Sequence, residues 1–133
     1  MQRFDLLKNA NLINSAVYQI IYTVKNQFKQ WQLDCEMPQV EMLLTHLAMA
    51  LMRLINHTPE QHALTHEVLT EIESSEHYQN LMVHHQIVLG IIGESLPDLT
   101  IPAAEESYLI ANLYSLMLAQ PQCFQPNRQK SEA

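Results

Sequence analysis

Glycine is scarce in this sequence, with only Gly90 and Gly93 among 133 residues. The turns of β-sandwiches, barrels and Rossmann folds need glycine, so these fold classes are excluded. Hydrophobic residues make up 47% of the chain, and Leu, Ala, Met, Gln and Glu, which favour helices, are plentiful. We therefore expect an all-α protein in one domain, long enough to bury a core without a metal or a disulfide.

Positive charge, cysteine and long apolar runs are also in short supply. Seven Lys and Arg face 14 Asp and Glu, giving a net charge of −7, and no segment concentrates basic residues for nucleic acid or anionic lipid. Cys35 and Cys123 are too few for a disulfide framework. The N-terminus lacks the apolar core of a signal peptide, and no run is long enough to span a membrane. We expect a cytoplasmic protein that contacts neither nucleic acid nor membrane directly.

Apolar residues recur at helical spacing in five segments. The predicted helices begin at Asn11 or Asn14, at Pro38, at about Glu60, after Ser74-Ser75, and after Pro102. Asparagine and serine are favoured helix caps, and proline is favoured in the first turn. Ile72, Gly93 and Pro121 are expected to mark the ends of the last three helices. These limits predict a compact five-helix bundle over residues 11–120, after an N-terminal lead at 1–10 and before a flexible polar tail at 121–133.

The seven histidines raise the question of a metal site. His62 and His66 are four residues apart and would share a face if residues 60–72 formed a helix. A site would need further ligands, and neither His-Glu-x-x-His nor the Glu-x-x-His pairs of di-iron bundles occurs. We expect solvated histidines, no metal and no cofactor. A small bundle that binds a metal or ligand through His57, His62 and His66 is kept as an alternative.

His46 has a different setting from the other histidines. It lies in the strongest apolar segment, and Arg53 follows seven residues later, two helical turns away on nearly the same face. An imidazole can accept a phosphoryl group as a nucleophile, and a guanidinium can pair with phosphate oxygens. A boundary histidine near an ordinary surface arginine is also consistent with these residues. Glu105 and Glu106 are expected to be ordinary acids of a first helical turn.

Several short motifs, taken in order, resemble the PTS regulation domain. They are Thr45-His46-Leu47-Ala48 with Ala50 and Arg53, Leu69-Thr70-Glu71-Ile72, Glu76-His77-Tyr78, Leu96-Pro97, and Glu105-x-x-Tyr108-Leu109-Ile110-x-Asn112-Leu113. The resemblance as a whole covers about residues 11–120. The first resembles the family's first histidine motif, in which an arginine follows the histidine after seven residues.

The resemblance implies a non-enzymatic, homodimeric regulatory domain of bacterial carbohydrate-responsive gene expression, of the antiterminator or activator type. Sugar phosphotransferase proteins phosphorylate histidines of such domains. His46 would be the phosphoacceptor, Arg53 would steady the phosphoryl group, and Asn112 would hydrogen-bond across the site. The implied partners are a second copy and the phosphocarrier or sugar permease proteins of the phosphotransferase system.

Two features depart from the family pattern. Asn112 stands where the family has its second histidine, and an amide cannot accept a phosphoryl group in this way. The chain also shows a single regulation domain without an effector module, so we expect it to act through another protein. A degenerate dimerisation scaffold that is not phosphorylated therefore remains an alternative.

Overall fold

The computed structural model describes residues 2–124, and six α-helices and one 3₁₀-helix lie within them. The elements are α1 Gln2–Asn9, α2 Ser15–Gln30, α3 Pro38–Ile55, α4 His66–Glu73, α5 Tyr78–Ser95, α6 Ala103–Ala119 and the 3₁₀-helix Pro121–Phe124. No strand occurs in this part of the chain. The prediction of an all-α protein is confirmed, whereas the expected count of five helices is one too few. None of the six helices is both long and apolar enough to cross a membrane.

Local sequence signals explain where three of the helices begin. The side chain of Asn14 caps α2, accepting a hydrogen bond from the Val17 amide at 2.8 Å. Pro38 is the first residue of α3, where its missing N–H costs nothing. Pro102 directly precedes α6 in an extended conformation. All three starts agree with the sequence-based prediction.

The N-terminal lead predicted for residues 1–10 contains a helix, α1. Phe4 on this helix is buried, with 3% of its surface exposed. Arg3 forms an ion pair with Glu41 of α3 at 2.6 Å. A helix of eight residues is marginal by itself, so α1 depends on these tertiary contacts.

The third predicted helix begins later than expected. Residues 60–65 form a loop, and α4 starts at His66, where Thr65 supplies the cap by accepting a hydrogen bond from the Val68 amide. His62 therefore lies in the loop and does not share a helix face with His66, so that expectation is wrong. Backbone amides of the loop hydrogen-bond side chains of α6 instead of continuing a helix.

The helix α5 continues through Gly93 and ends at Ser95. Glycine ends a helix by adopting a left-handed backbone, and Gly93 has no positive φ. The Leu96 amide donates to the Ile92 carbonyl at 2.8 Å and closes the last turn. The prediction that Gly93 marks the helix end is therefore wrong.

The core forms where α2 and α6 pack on α3 and where α5 packs on α2 and α6. Its largest buried apolar side chains are Ile20, Ile21, Phe28, Leu44, Leu47, Leu51, Leu81, Ile92, Leu116, Met117 and Phe124. Each contributes roughly 1.5–3 kcal/mol by removing apolar surface from water. This packing holds α3 and α6 side by side, and the candidate site lies between them.

The first residues of the predicted polar tail are structured. Phe124, at the end of the 3₁₀-helix, is buried, and its ring lies 6.0 Å from that of Trp31 and 4.9 Å from that of His84. The rest of the predicted tail, residues 125–133, lies outside the described residues.

Candidate functional site

A cleft of about 460 Å³ lies between α3, α6 and the loop before α4. Its lining residues are His46, Ala50 and Arg53 from α3, Glu60 and Leu64 from the loop, and Glu105, Tyr108, Leu109, Ala111 and Asn112 from α6. On both helices these residues fall at three- and four-residue steps, which places them on one face. The structure thus brings the three predicted site residues, His46, Arg53 and Asn112, into one cleft.

Arg53 is fixed by a carboxylate from the facing helix. Its Nε donates to Glu105 Oε2 at 2.9 Å, and its Nη2 donates to Glu105 Oε1 at 2.8 Å. The Glu105 side chain is completely buried, whereas the Arg53 side chain is 39% exposed. This bidentate geometry holds the plane of the guanidinium in a single orientation at the cleft.

The ion pair also shifts the pKa values of both partners. Hydrogen bonds from Arg53 hold the pKa of the Glu105 carboxyl below its ordinary value, although burial acts in the opposite direction. The same hydrogen bonds raise the pKa of the Arg53 guanidinium. Both side chains are therefore charged at neutral pH, and the buried carboxylate is compensated.

His46 is exposed and lines this cleft together with Arg53. Side chains on a helix tilt toward its N-terminus, which on α3 is the direction from Arg53 to His46. The Nη1 group of Arg53 makes no hydrogen bond to any residue in the range 2–124. An accessible imidazole and a donor with free capacity therefore line the same cleft.

Asn112 lines the cleft but does not bridge it. Its Nδ2 donates to the Tyr108 carbonyl at 2.9 Å, one turn back on α6. The predicted hydrogen bond across the site is thus not seen within the part of the chain that the structure describes. Asn112 contributes a polar wall to the cleft on the side of α6.

Charged side chains give the cleft a negative balance. Arg53 supplies one positive charge, while Glu60 and Glu105 supply two negative charges, so the sum is −1 when His46 is neutral. Such a cleft does not attract free anions by its charge. A phosphoryl group would have to be attached covalently to remain there.

The role of Glu105 is not evident from the sequence, because an acid in the first turn of a helix is explained by the helix dipole alone. One spacing in the sequence could have suggested that Glu105 lies opposite Arg53. Glu105 and Asn112 are separated by seven residues, as are His46 and Arg53. Antiparallel packing of two such helices places Arg53 opposite Glu105 when His46 and Asn112 share the other end.

The remaining histidines do not form a metal centre in the described chain. Within residues 2–124, no group of three or more His, Cys, Asp or Glu side chains could hold a metal ion. His57 and His62 are exposed in the loop region, and His66 Nε2 lies 3.4 Å from Thr70 Oγ1. His85 is buried, with its Nε2 3.0 Å from a carboxylate oxygen of Glu106.

Two bacterial proteins are similar to this chain over most of their length. The protein of Escherichia coli named "Uncharacterized protein YhfY" is 33% identical over 121 residues, which cover 88% of this chain and 93% of that protein. A Haemophilus influenzae protein, also named uncharacterized, is 32% identical over 111 residues, which cover 83% of this chain and 84% of that protein. This chain belongs to their family. No family model matches the chain, and no solved structure matches it significantly. Membership of the YhfY family thus shows that these proteins are related in sequence, and it does not assign an activity.

Proposed function

We propose that this member of the YhfY family is a stand-alone, non-enzymatic regulatory module of the PTS-regulation-domain type. In this proposal, it acts in carbohydrate-responsive gene expression and is phosphorylated on His46. The observation that carries the proposal is the exposed His46 imidazole in one cleft with an Arg53 guanidinium fixed by Glu105. The order of motifs along the chain, from the histidine motif on α3 to Asn112 on α6, also supports it.

The chemistry requires a nucleophile, a donor and a stabilising cation. A ring nitrogen of His46 attacks the phosphorus of a phosphohistidine donor, a new P–N bond forms, and the bond from phosphorus to the donor breaks. The imidazole proton passes to solvent or to the departing donor nitrogen. Arg53 would offer its Nη1 to the phosphoryl oxygens, because its Nε and Nη2 are bound to Glu105.

The proposed partners follow from the same resemblance. A phosphocarrier or sugar permease protein of the phosphotransferase system would supply the phosphoryl group, and a second copy of the chain would form a homodimer. Phosphorylation adds about −1.5 to −2 charges, which is enough to reorganise a contact between proteins. An effector protein would then recognise the surface that phosphorylation has changed.

The proposal is tested by incubating the chain with the phosphocarrier protein, the enzyme that charges it, and phosphoenolpyruvate. Mass spectrometry at neutral to alkaline pH should show one added phosphoryl group, located on His46. The variant His46→Gln should remain unmodified, while His62→Gln, which changes an exposed histidine outside the cleft, should be modified like the wild type. An unmodified wild-type chain, or modification that persists in His46→Gln, would refute the phosphoacceptor role.

A degenerate dimerisation scaffold is the second candidate. It is favoured by the existing contacts of the site, since two nitrogens of Arg53 are bound to Glu105 and Asn112 is bound to its own helix. The incubation above separates the candidates, because a scaffold would stay unmodified and still pair with a second chain.

A further inference from the structure

The loop that closes the cleft is attached to both helices that build it. Residues 58–65, called the strap below, run from the end of α3 to the cap of α4. At its start the Thr58 amide donates to the Arg53 carbonyl at 2.8 Å. In its second half the Leu64 amide donates to Ser107 Oγ of α6 at 3.3 Å. The strap therefore spans the space between α3 and α6.

Glu60 connects the strap to the ion pair of the site. Its backbone N–H donates to Glu105 Oε2 at 2.9 Å, the oxygen that also accepts from Arg53 Nε. Glu60 lines the cleft together with His46, its carboxylate accepts a hydrogen bond from the His62 amide at 3.3 Å, and its negative charge acts on Arg53, whose pKa it helps to raise. The same residue thus makes an attractive contact through its backbone and places a negative charge in the cleft through its side chain.

A further negative group in the cleft would act mainly on Glu60. Glu105 is completely buried and cannot lose Arg53 without leaving an uncompensated charge, which is strongly unfavourable. Arg53 therefore stays with Glu105 and offers its Nη1 to any new anion. Glu60 is only half-buried, and its carboxylate is bound only to the His62 amide of the same loop at 3.3 Å, so it is the negative group that can move away together with the loop.

We propose that the strap is a charge-sensitive device: a phosphoryl group on His46 repels the Glu60 carboxylate, breaks the hydrogen bond from the Glu60 amide to Glu105, and opens the cleft. The inference rests on the proposed phosphorylation of His46 and specifies how that modification becomes a change in structure.

The test measures amide hydrogen exchange of the full chain by NMR, before and after phosphorylation with phosphoramidate. In that reaction the P–N bond of the reagent breaks, ammonia leaves, and a P–N bond to the imidazole forms. The amides of Glu60 and Leu64 should exchange about tenfold faster after modification, as expected for repulsion between partly exposed charges. Amides in the middle of α2, which does not line the cleft, should be unchanged.

The variant Glu60→Gln is the matched control, because it keeps the backbone amide and the side-chain shape but removes the charge. At equal phosphorylation its strap amides should show no acceleration. Normal protection in the phosphorylated wild type, or equal acceleration in Glu60→Gln, would overturn the strap mechanism while leaving His46 as phosphoacceptor.

A further pair of variants tests the strap without phosphorylation. His46→Glu places a carboxylate in the cleft, whereas His46→Gln does not. Exchange at Glu60 and Leu64 should be about threefold faster in His46→Glu than in His46→Gln, because one added charge repels less than two. If His46 proves unreactive but this difference appears, the phosphorylation proposal fails and the charge-sensitive strap stands. Equal exchange in the two variants would refute the strap.

Discussion

Glu105 organises the cleft because a carboxylate without solvent must be satisfied by protein donors. Three groups meet this need: Arg53 Nε, Arg53 Nη2 and the Glu60 amide. The carboxylate therefore fixes both the arginine and the strap. A change at this one residue should affect the guanidinium, the loop and the stability of the fold together.

Glu105→Gln should lower the free energy of unfolding by about 2 kcal/mol at neutral pH. This figure is below the ~3–5 kcal/mol for breaking a fully buried ion pair because Arg53 is more than a third exposed. The pKa of Glu105 is lowered in the folded state, so its contribution is present above the unfolded pKa and is lost as the pH falls through the folded pKa. The difference between wild type and variant should therefore shrink below about pH 4.

Urea unfolding at a series of pH values measures this difference. Glu67→Gln, at an exposed position in the first turn of α4, is the control and should change stability by less than about 0.5 kcal/mol. A difference between Glu105→Gln and wild type that stayed constant down to the lowest pH would show that the charge of Glu105 does not stabilise the fold.

The candidate site was only partly predictable at the level of residues. His46, Arg53 and Asn112 belong to the short motifs that resemble the PTS regulation domain. Their positions on amphipathic helices predict which helix face each one occupies. Glu60 and Glu105 act through hydrogen bonds between segments separated by 45 residues. No local pattern contains such a contact, so the matching seven-residue spacings could at most suggest the ion pair, and the strap follows only from the packing of α3 against α6.

At the scale of elements, the helices with strong local signals were predicted well. The starts of α2, α3 and α6 follow from Asn14, Pro38 and Pro102. The prediction missed α1 and began α4 too early. Whether a helix of eight residues forms is decided by tertiary contacts rather than by helix propensity. The loop before α4 is the clearest case, because its amides bind α6 in place of a helical turn.

The dependence of α1 on tertiary contacts predicts a strong contrast between two residues of this helix. Phe4 is 3% exposed and Leu6 is 63% exposed. Phe4→Ala should cost about 3–4 kcal/mol, because it removes a buried ring and leaves a cavity. Leu6→Ala should change stability by less than about 0.5 kcal/mol, since alanine favours the helix and little burial is lost.

Thermal and urea unfolding of both variants, followed by circular dichroism, tests whether α1 is part of the cooperative core. Similar small effects of Phe4→Ala and Leu6→Ala would mean that α1 frays independently and that the bundle consists of the later helices alone.

At the scale of the whole molecule, charge and self-association oppose each other. Each chain carries a net charge of −7, so two copies of the proposed dimer repel one another. Salt screens this repulsion, whereas a phosphoryl group on each chain adds to it. The balance between monomer and dimer should therefore respond to ionic strength and to modification of His46 in opposite directions.

For such a dimer, Tm should rise by roughly 5 °C for a hundredfold increase in protein concentration, because mass action favours the folded, associated state. Sedimentation equilibrium should show a dissociation constant that falls as salt is raised and increases after phosphorylation at low salt. The His46→Gln variant, treated in the same way, should keep the salt response and lose the response to the phosphoryl donor. A Tm independent of concentration, together with a monomer at every salt concentration, would show that the chain acts singly, and any effector would then bind to one copy.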